Sequence, residues 1–195
     1  MFSSRLWNLF IDSFPKMFIR GLTVTIPLTA IAFSLAMVIA VIVALVQFAN
    51  IKVLKQICRF YIWIFRGTPL LVQLFIVFFG LMNVGLVLEP FLAAVIVFAL
   101  NEGAYGAETV RASLESVPSG QLEAGQCAGL SYLQTIFRIV LPQAMRTAFP
   151  SLFNALISML KDTSLAATIT VTEMFKVSQQ IVARTYEPLL LYLEV

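Results

Sequence analysis

GLTVTIPLTAIAFSLAMVIAVIVALVQFANI, residues 21–51, carries no charged side chain in 31 positions. About 20 residues of helix cross a hydrocarbon core of roughly 30 Å. This stretch therefore spans a membrane once, with length to spare. The whole chain agrees: its 195 residues are 60% hydrophobic and 12% charged, with a mean hydropathy of +0.94, whereas soluble domains are about 45–50% apolar and about 25% charged. Such apolar content excludes disorder. Thirteen Lys and Arg against ten Asp and Glu leave a net charge of +3, too little for a nucleic-acid-binding face. No histidine is present, so imidazole metal sites and Ser/His/Asp catalysis are absent. An all-α integral membrane protein is expected.

Further spans lie downstream. A second uncharged run extends from Gly67 to Leu88, preceded by the aromatic segment Phe60 to Phe65. A third, Pro90 to Asn101, is too short alone and spans only if the helix continues through Glu102, Tyr105 and Glu108. A fourth, Thr147 to Leu160, continues past Lys161-Asp162 into Thr163–Thr172. The last run starts at Pro188 and stops at Leu193, before Glu194. A transmembrane helix of two turns does not satisfy the bilayer, so four complete spans and a truncated fifth are expected. Residues 1–20 form an amphipathic segment set in the interface, with Leu6, Phe10, Phe14 and Phe18 on one stripe, Asp12, Lys16 and Arg20 on another, and Pro15 as a kink. Simple extension of the first span is the alternative. These charges, and the length of the apolar run behind them, do not suit a secretory signal peptide. Residues 21–195 are taken as one transmembrane domain.

Orientation follows from Lys and Arg in the short connections. Lys52, Lys55 and Arg59 follow the first span; Asn83 to Glu89 has none; Arg111, Arg138 and Arg146 follow the third. The two basic connections lie on the cytoplasmic side, which puts the N-terminus outside. Cys58 and Cys127 are read as two small buried thiols, too few for a disulfide framework.

The connection at about 113–142 is neither apolar enough to span nor polar enough for a linker. Ser119 is placed as an N-cap with Glu123 in the first turn. Gly129 is a helix stop. Ser131-Tyr132-Leu133-Gln134 reads as a capping box that starts a second helix through Ile136, Phe137, Ile139 and Leu141, ended by Pro142. A DNA-reading helix-turn-helix, a structural re-entrant hairpin and a docking surface for a cytoplasmic partner all fit two short helices. The first is weakest, because only Arg138 would meet a phosphate.

Glu123-Ala124-Gly125, three residues, Gly129, nine residues, Ile139-Val140-Leu141-Pro142 resembles the EAA loop of ATP-binding-cassette (ABC) importer permeases. The family pattern is EAA-x3-G-x9-I-x-L-P, from which this chain departs at Gly125. Arg66-Gly67-Thr68-Pro69, Asn101 to Glu108 (NEGAYGAE) and Lys161-Asp162-Thr163-Ser164-Leu165 are similar to segments of the polar amino acid branch. The resemblance covers residues 16 to 195. It implies a polytopic bundle of the type I importer kind in a bacterial inner (plasma) membrane. It also implies that Glu123, Ala124, Gly125, Gly129, Leu141 and Pro142 belong to a coupling helix that seats on an ATPase subunit. Two ATPases, a second permease chain (the same or a related one), an extracytoplasmic solute-binding protein, a polar amino acid substrate and membrane lipid are the implied partners.

No G-x-x-x-x-G-K-[ST] loop occurs, so ATP and its magnesium are expected in a partner and not in this chain, which is expected to be no enzyme and to hold no metal. Charges inside spans are costly and face a cavity or a partner. An amino acid brings a carboxylate and an ammonium, so Arg66 is placed on the former and Asp162 on the latter. Thr163 and Ser164 offer hydroxyls, Thr68-Pro69 interrupts the second helix and frees backbone groups, and Glu102 and Tyr105 follow. The alternative is mutual pairing of these charges, for instance Lys161 with Glu108. Glu108 with Arg111 is read as structural. An ion-coupled carrier, in which Glu102 and Asp162 titrate, is the competing function. A scaffold that only recruits an ATPase is a third.

Overall fold

The computed structural model describes residues 4–49 and 51–195. Residues 1–3 of the N-terminal segment and Asn50 of the first apolar run lie outside them. Among the described residues there is no strand. Helix α1 (Ser4–Arg20) passes through one wide turn, Gly21–Thr25, into α2 (Ile26–Phe48), giving one uninterrupted helical run of 45 residues. Next come α3 (Lys52–Gly67), α4 (Leu70–Phe75), a wide turn Ile76–Gly80, and the short α5 (Leu81–Asn83). Helix α6 (Pro90–Ser116) does continue through Glu102, Tyr105 and Glu108. It is followed by α7 (Gly120–Cys127), α8 (Tyr132–Thr135) and α9 (Leu141–Asp162). After α9 the backbone tightens to a 3-10 helix over Thr163–Ile169, then forms α10 (Met174–Thr185) and α11 (Pro188–Leu193).

One expectation about helix ends needs correction. Pro142 does not end the helix that starts at Ser131. A wide turn over Ile136–Val140, in which Leu141 N–H bonds Ile136 O, carries α8 straight into α9. A proline clashes with the carbonyl four residues back and lacks the N–H to bond it. A turn widened to i→i+5 at that place absorbs both defects. The same device precedes Pro27, where Ile26 N–H bonds Gly21 O. The run from Gly67 to Leu88 is not one continuous helix, in line with the expectation. It is interrupted at extended Thr68 before Pro69, as the Thr-Pro step predicts, and ends at Asn83, before Gly85 at φ +86°.

The chain divides into two compact units. Unit 1 comprises residues 4–32, 71–97 and 158–195. In it α1 packs on α10 and α11, burying Met17 and Leu191. The Met174 side chain at the start of α10 packs on Gly21, where an added Cβ would sit 3.2 Å from Met174 Sδ. Met174 N–H donates to Thr25 Oγ1 at 3.3 Å. On the outer face of α1 the expected stripes are present. Rings of Phe10, Phe14 and Phe18 stack at 5.6 and 5.8 Å, and Lys16 pairs with Asp12 at 2.7 Å.

Unit 2 comprises residues 33–70 and 98–157. Its core joins Ala44 of α2, Val110 and Leu114 of α6, Ile136, Val140, Ala144, Ala148 and Leu152. Without a hydrophobic drive between helices in lipid, close van der Waals approach of small residues holds them together. Ala36, Ala40 and Ala44, four apart on α2, are fully buried, and Gly106 of α6 comes up against Ala40. A Cβ at Gly106 would lie 3.0 Å from Ala40 Cβ and 3.3 Å from Met37 Cε. Gly106→Val is therefore expected to destabilise the permease by about 1–3 kcal/mol, the usual cost of overpacking. Gly67→Ala, whose added carbon meets nothing within 4 Å, serves as control in the same detergent melting experiment.

Candidate functional site

The loop element lies wholly in unit 2. Helix α7 follows Ser119, but Ser119 does not cap with its side chain. Its own backbone is already helical (φ −56°, ψ −29°), and its carbonyl accepts Leu122 and Glu123 N–H at 2.9 and 3.3 Å. The end of α7 is as expected. Gly129 takes φ +79°, Gly129 N–H bonds Gln126 O at 2.9 Å and Leu130 N–H bonds Gly125 O at 3.0 Å. That pairing satisfies the last carbonyls of the helix and needs a left-handed residue, which glycine adopts without strain. The reciprocal box then starts α8. Gln134 N–H donates to Ser131 Oγ at 3.3 Å, and Ser131 N–H donates to Gln134 Oε1 at 2.9 Å.

The departure of Gly125 from the EAA pattern has a local cause. Gly125 is buried against Thr135. An added Cβ would lie 2.6 Å from Thr135 Oγ1 and 3.0 Å from Thr135 Cβ, with Thr135 Cγ2 also in its way. Thr135 is itself fully buried, its hydroxyl donating to Ser131 O at 3.1 Å. So Gly125 and Thr135 seat α7 on α8. Leu141 is half-buried against the unit core. Glu123, Ala124, Gly129 and Pro142 face outward, beside the exposed apolar residues Tyr132, Leu133 and Phe137. Cys127 is also exposed, against the expectation of a buried thiol, because it lies on the outer side of α7. Cys58 is half-buried.

The intramembrane polar residues fall into two sets. In unit 2, Arg66 ends α3 with its guanidinium carbon 5.2 Å from the Tyr105 ring centroid and Nη1 3.5 Å from Glu108 Oε2. Glu108 also pairs with Arg111 at 3.2 Å, and Arg111 with Glu115 at 2.7 Å. Glu108 is thus structural as expected, with Arg66 and Arg111 as its partners in place of Lys161. The arrangement brings Arg66 and Tyr105 together, while Glu102 is half-buried on the same helix and Thr68 Oγ1 donates to Ile64 O at 2.8 Å. The end of α3 is tied to α6 by Tyr61 Oη donating to Leu100 O at 2.5 Å and Asn101 Nδ2 donating to Phe65 O at 3.2 Å. Sequence reasoning assigned neither tie. Each joins residues more than thirty positions apart, which no local pattern encodes.

In unit 1, Asp162 is exposed at the end of α9, where the helix changes to 3-10. Thr163 is buried and its hydroxyl donates to Leu160 O at 2.6 Å. Thr163 and Ser164 line a cavity of about 520 Å³ with Lys161, Glu173, Phe18 and Leu22; Asp162 is not in its wall. Glu173, missed in the sequence, is 1% exposed. Its carboxylate caps α10 by accepting Phe175 and Lys176 N–H at 2.7 and 2.6 Å. A glutamate directly before the α10 pattern was the available signal, though Ser, Thr, Asp and Asn are the usual N-caps.

Residues 36–192 match the model of a family described as binding-protein-dependent transport system inner membrane component. The chain is 45% identical to the L-cystine transport system permease protein TcyB of Bacillus subtilis (strain 168), over 96% of its own length and 81% of that protein's. It is 37% identical to the nopaline transport system permease protein NocM of Agrobacterium fabrum, over 93% and 79%. Among solved structures it is similar to a chain of an amino acid ABC transporter crystallised with histidines, with TM-score 0.84 and 33% identity over 95% of this chain and 86% of that one. A methionine ABC transporter in an inward-facing conformation shares the fold, with TM-score 0.76 at 18% identity over 91% and 86%.

Proposed function

The chain belongs to the family of binding-protein-dependent transport system inner membrane components, and on that premise we propose how this permease works and what it carries. It is the multi-pass transmembrane permease subunit of an ABC importer, and the ion-coupled carrier is set aside by that membership. The substrate is a polar amino acid, cystine and cationic amino acids being the first to test, since relatives named for cystine, nopaline and arginine transport are 37–45% identical. ATP is hydrolysed by a separate subunit that docks on α7, and an extracytoplasmic binding protein delivers the substrate. Two permease chains, equal or related, pair around the pathway.

The observation that carries the coupling reading is the outward-facing Glu123, Ala124 and Gly129 edge, held by the buried Gly125–Thr135 contact. A rigid seat passes a push from the ATPase into α9, because α8 and α9 are one helical run. Glu123 offers a carboxylate to the ATPase groove, and Pro142 shapes its rim. The basic connections face the cytoplasm: Lys55, Arg59 and Arg111 line one cleft of unit 2. That assignment places the N-terminal end of the α1–α2 run outside, with residues 1–20 at the interface.

Asp162 is the residue assigned to the substrate ammonium, with Thr163 and Ser164 beside it. Within unit 2, Arg66, held by Tyr105 and Glu108, is a separate candidate for recognising a carboxylate, with Thr68 and Glu102 as further polar candidates of the same unit. Proteoliposomes holding the permease, its ATPase and the binding protein test this reading. Uptake should require internal ATP and be insensitive to a proton gradient. Asp162→Asn is expected to lower amino acid uptake about ten-fold or more, the scale of one lost charge-assisted hydrogen bond, without loss of the ATPase. Uptake driven by protons without nucleotide would refute the coupling. Unchanged uptake in Asp162→Asn would remove that residue from the pathway.

A further inference from the structure

The geometry points to a water-facing wall on α9. Resting on the permease reading above, we propose that Thr147, Ser151 and Asn154 line the hydrated path along which the substrate crosses the membrane. All three belong to unit 2, and at 3.6 residues per turn they fall within about 60° of one another. The helix divides its circumference three ways. Ala144, Ala148 and Leu152 form the buried face, set in the unit core. Phe149, Phe153 and Ile157 form a second face, 66%, 51% and 42% exposed, with the first two rings stacked at 6.1 Å. Thr147, Ser151 and Asn154, all exposed, form a polar edge on the opposite flank of the core face.

That division decides what each exposed face meets. Aromatic and aliphatic side chains suit lipid chains, whereas an amide or hydroxyl placed in hydrocarbon is costly. Asn154 does not reach the headgroups. It stands eight residues beyond Arg146, about 12 Å along the axis at 1.5 Å per residue, in a stretch, Thr147 to Leu160, without charge. Its side chain is too short to cover that distance. A polar group at such depth faces water or another protein surface.

Two further features of α9 select water. Pro150 brings no N–H to the Arg146 carbonyl four residues back. Before Pro27 and Pro142 a widened turn absorbs that defect, but α9 runs through Pro150 without one. Pro150 is exposed and lies on the arc between the polar edge and the aromatic face. Water along the edge supplies a donor to a carbonyl freed there, and lipid does not. The edge also belongs to a helix that the ATPase drives. Gln143, one turn before Thr147, donates from Nε2 to Ile139 O at 2.9 Å and to Gln121 Oε1 of α7 at 3.4 Å, and α8 and α9 are one run. A push on α7 shifts this edge, and a hydrated face yields without the loss of close-packed contacts.

The test is cysteine accessibility in inverted membrane vesicles that hold the permease with its ATPase, in a Cys58→Ser, Cys127→Ser background. The probe is a membrane-impermeant trimethylammonium methanethiosulfonate, which needs water and a thiolate. Ser151→Cys and Asn154→Cys should react about ten-fold faster or more than Phe153→Cys and Ile157→Cys, in the nucleotide-free or the vanadate-trapped complex, since lipid excludes the probe and suppresses the thiolate. Ser151→Cys exchanges one small side chain for another, which guards against a misfolded Asn154 variant. Modification of Asn154→Cys should also abolish uptake. Rates for the first pair no faster than for the second, in both states, would overturn the proposal. So would a spontaneous disulfide between two copies of the Asn154→Cys chain without labelling, which would mark a dry contact between them. Absence of ATP-driven uptake before modification, with the labelling pattern intact, would refute the permease reading while the water-facing wall stands.

Discussion

Gly129→Val is expected to give a permease of normal abundance that purifies without its ATPase. Gly129 stands at φ +79° with nothing within 4 Å of an added Cβ, so the space is free and the strain is in the backbone alone. A β-branched side chain is a genuine outlier there. Relief requires the turn between α7 and α8 to unwind. That breaks the bonds from Gly129 N–H to Gln126 O and from Leu130 N–H to Gly125 O, and α7 loses its direction. The core of unit 2 does not include Gly129, so the bundle should survive. Co-purification from native membranes, with vanadate-sensitive ATP hydrolysis as readout, checks this. Gly129→Asn is the discriminating partner variant. Asparagine tolerates the left-handed region, so it should retain most of the ATPase. Equal retention of the ATPase in all three proteins would mean that the turn is not part of the docking surface.

Gly125→Ala should be the more damaging of the two substitutions for stability, despite adding one carbon. The added atom would lie 2.6 Å from Thr135 Oγ1 and 3.0 Å from Thr135 Cβ, and Thr135 is fully buried with no room to turn. Overpacking of this kind costs about 1–3 kcal/mol, enough to lift α7 from α8 in much of the population. Thr135→Ala removes Oγ1 and Cγ2 and leaves only the 3.0 Å approach. By itself it costs a hydrogen bond to Ser131 O and a small void, about 1 kcal/mol. The double variant should therefore be more stable than Gly125→Ala alone, with a coupling energy of about 1 kcal/mol or more in a melting cycle. ATPase retention should follow the same order. Additive losses would show that the two residues do not share a contact.

Those two experiments address different layers of the loop. Position 129 sets the path of the chain, and position 125 sets how closely two helices meet. Glu123 and Ala124, which face outward, depend on both.

How far the sequence reached can be judged residue by residue. The uncharged run from Gly21, the continuation of the third span through Glu102, Tyr105 and Glu108, the interruption before Pro69, the stop at Gly129 and the box at Ser131 were all legible. Each is decided within a few residues of chain: by hydropathy, by a fixed proline φ, by a positive φ or by a side chain reaching three residues on. The EAA spacing and the segments at Arg66, Asn101 and Lys161 carried the family by the same local means.

What escaped lies at longer range or in geometry that composition does not encode. Pro142 passes through a helix because the turn before it widens, and both widened and broken turns are open to a proline. Arg66 meets Tyr105 and Glu108, and Gly103 and Gly106 meet α2, because distant helices are packed close enough to touch. Gly125 is a glycine because of Thr135, ten residues later and one helix away. By itself the sequence determined that the chain crosses a membrane, and where the stop at Gly129 and the capping box at Ser131 lie, since those follow from the solvent and from local backbone chemistry. Which charges pair and which small residues are obligatory were decided only by tertiary structure, because contact between remote side chains is a property of packing and not of any one segment.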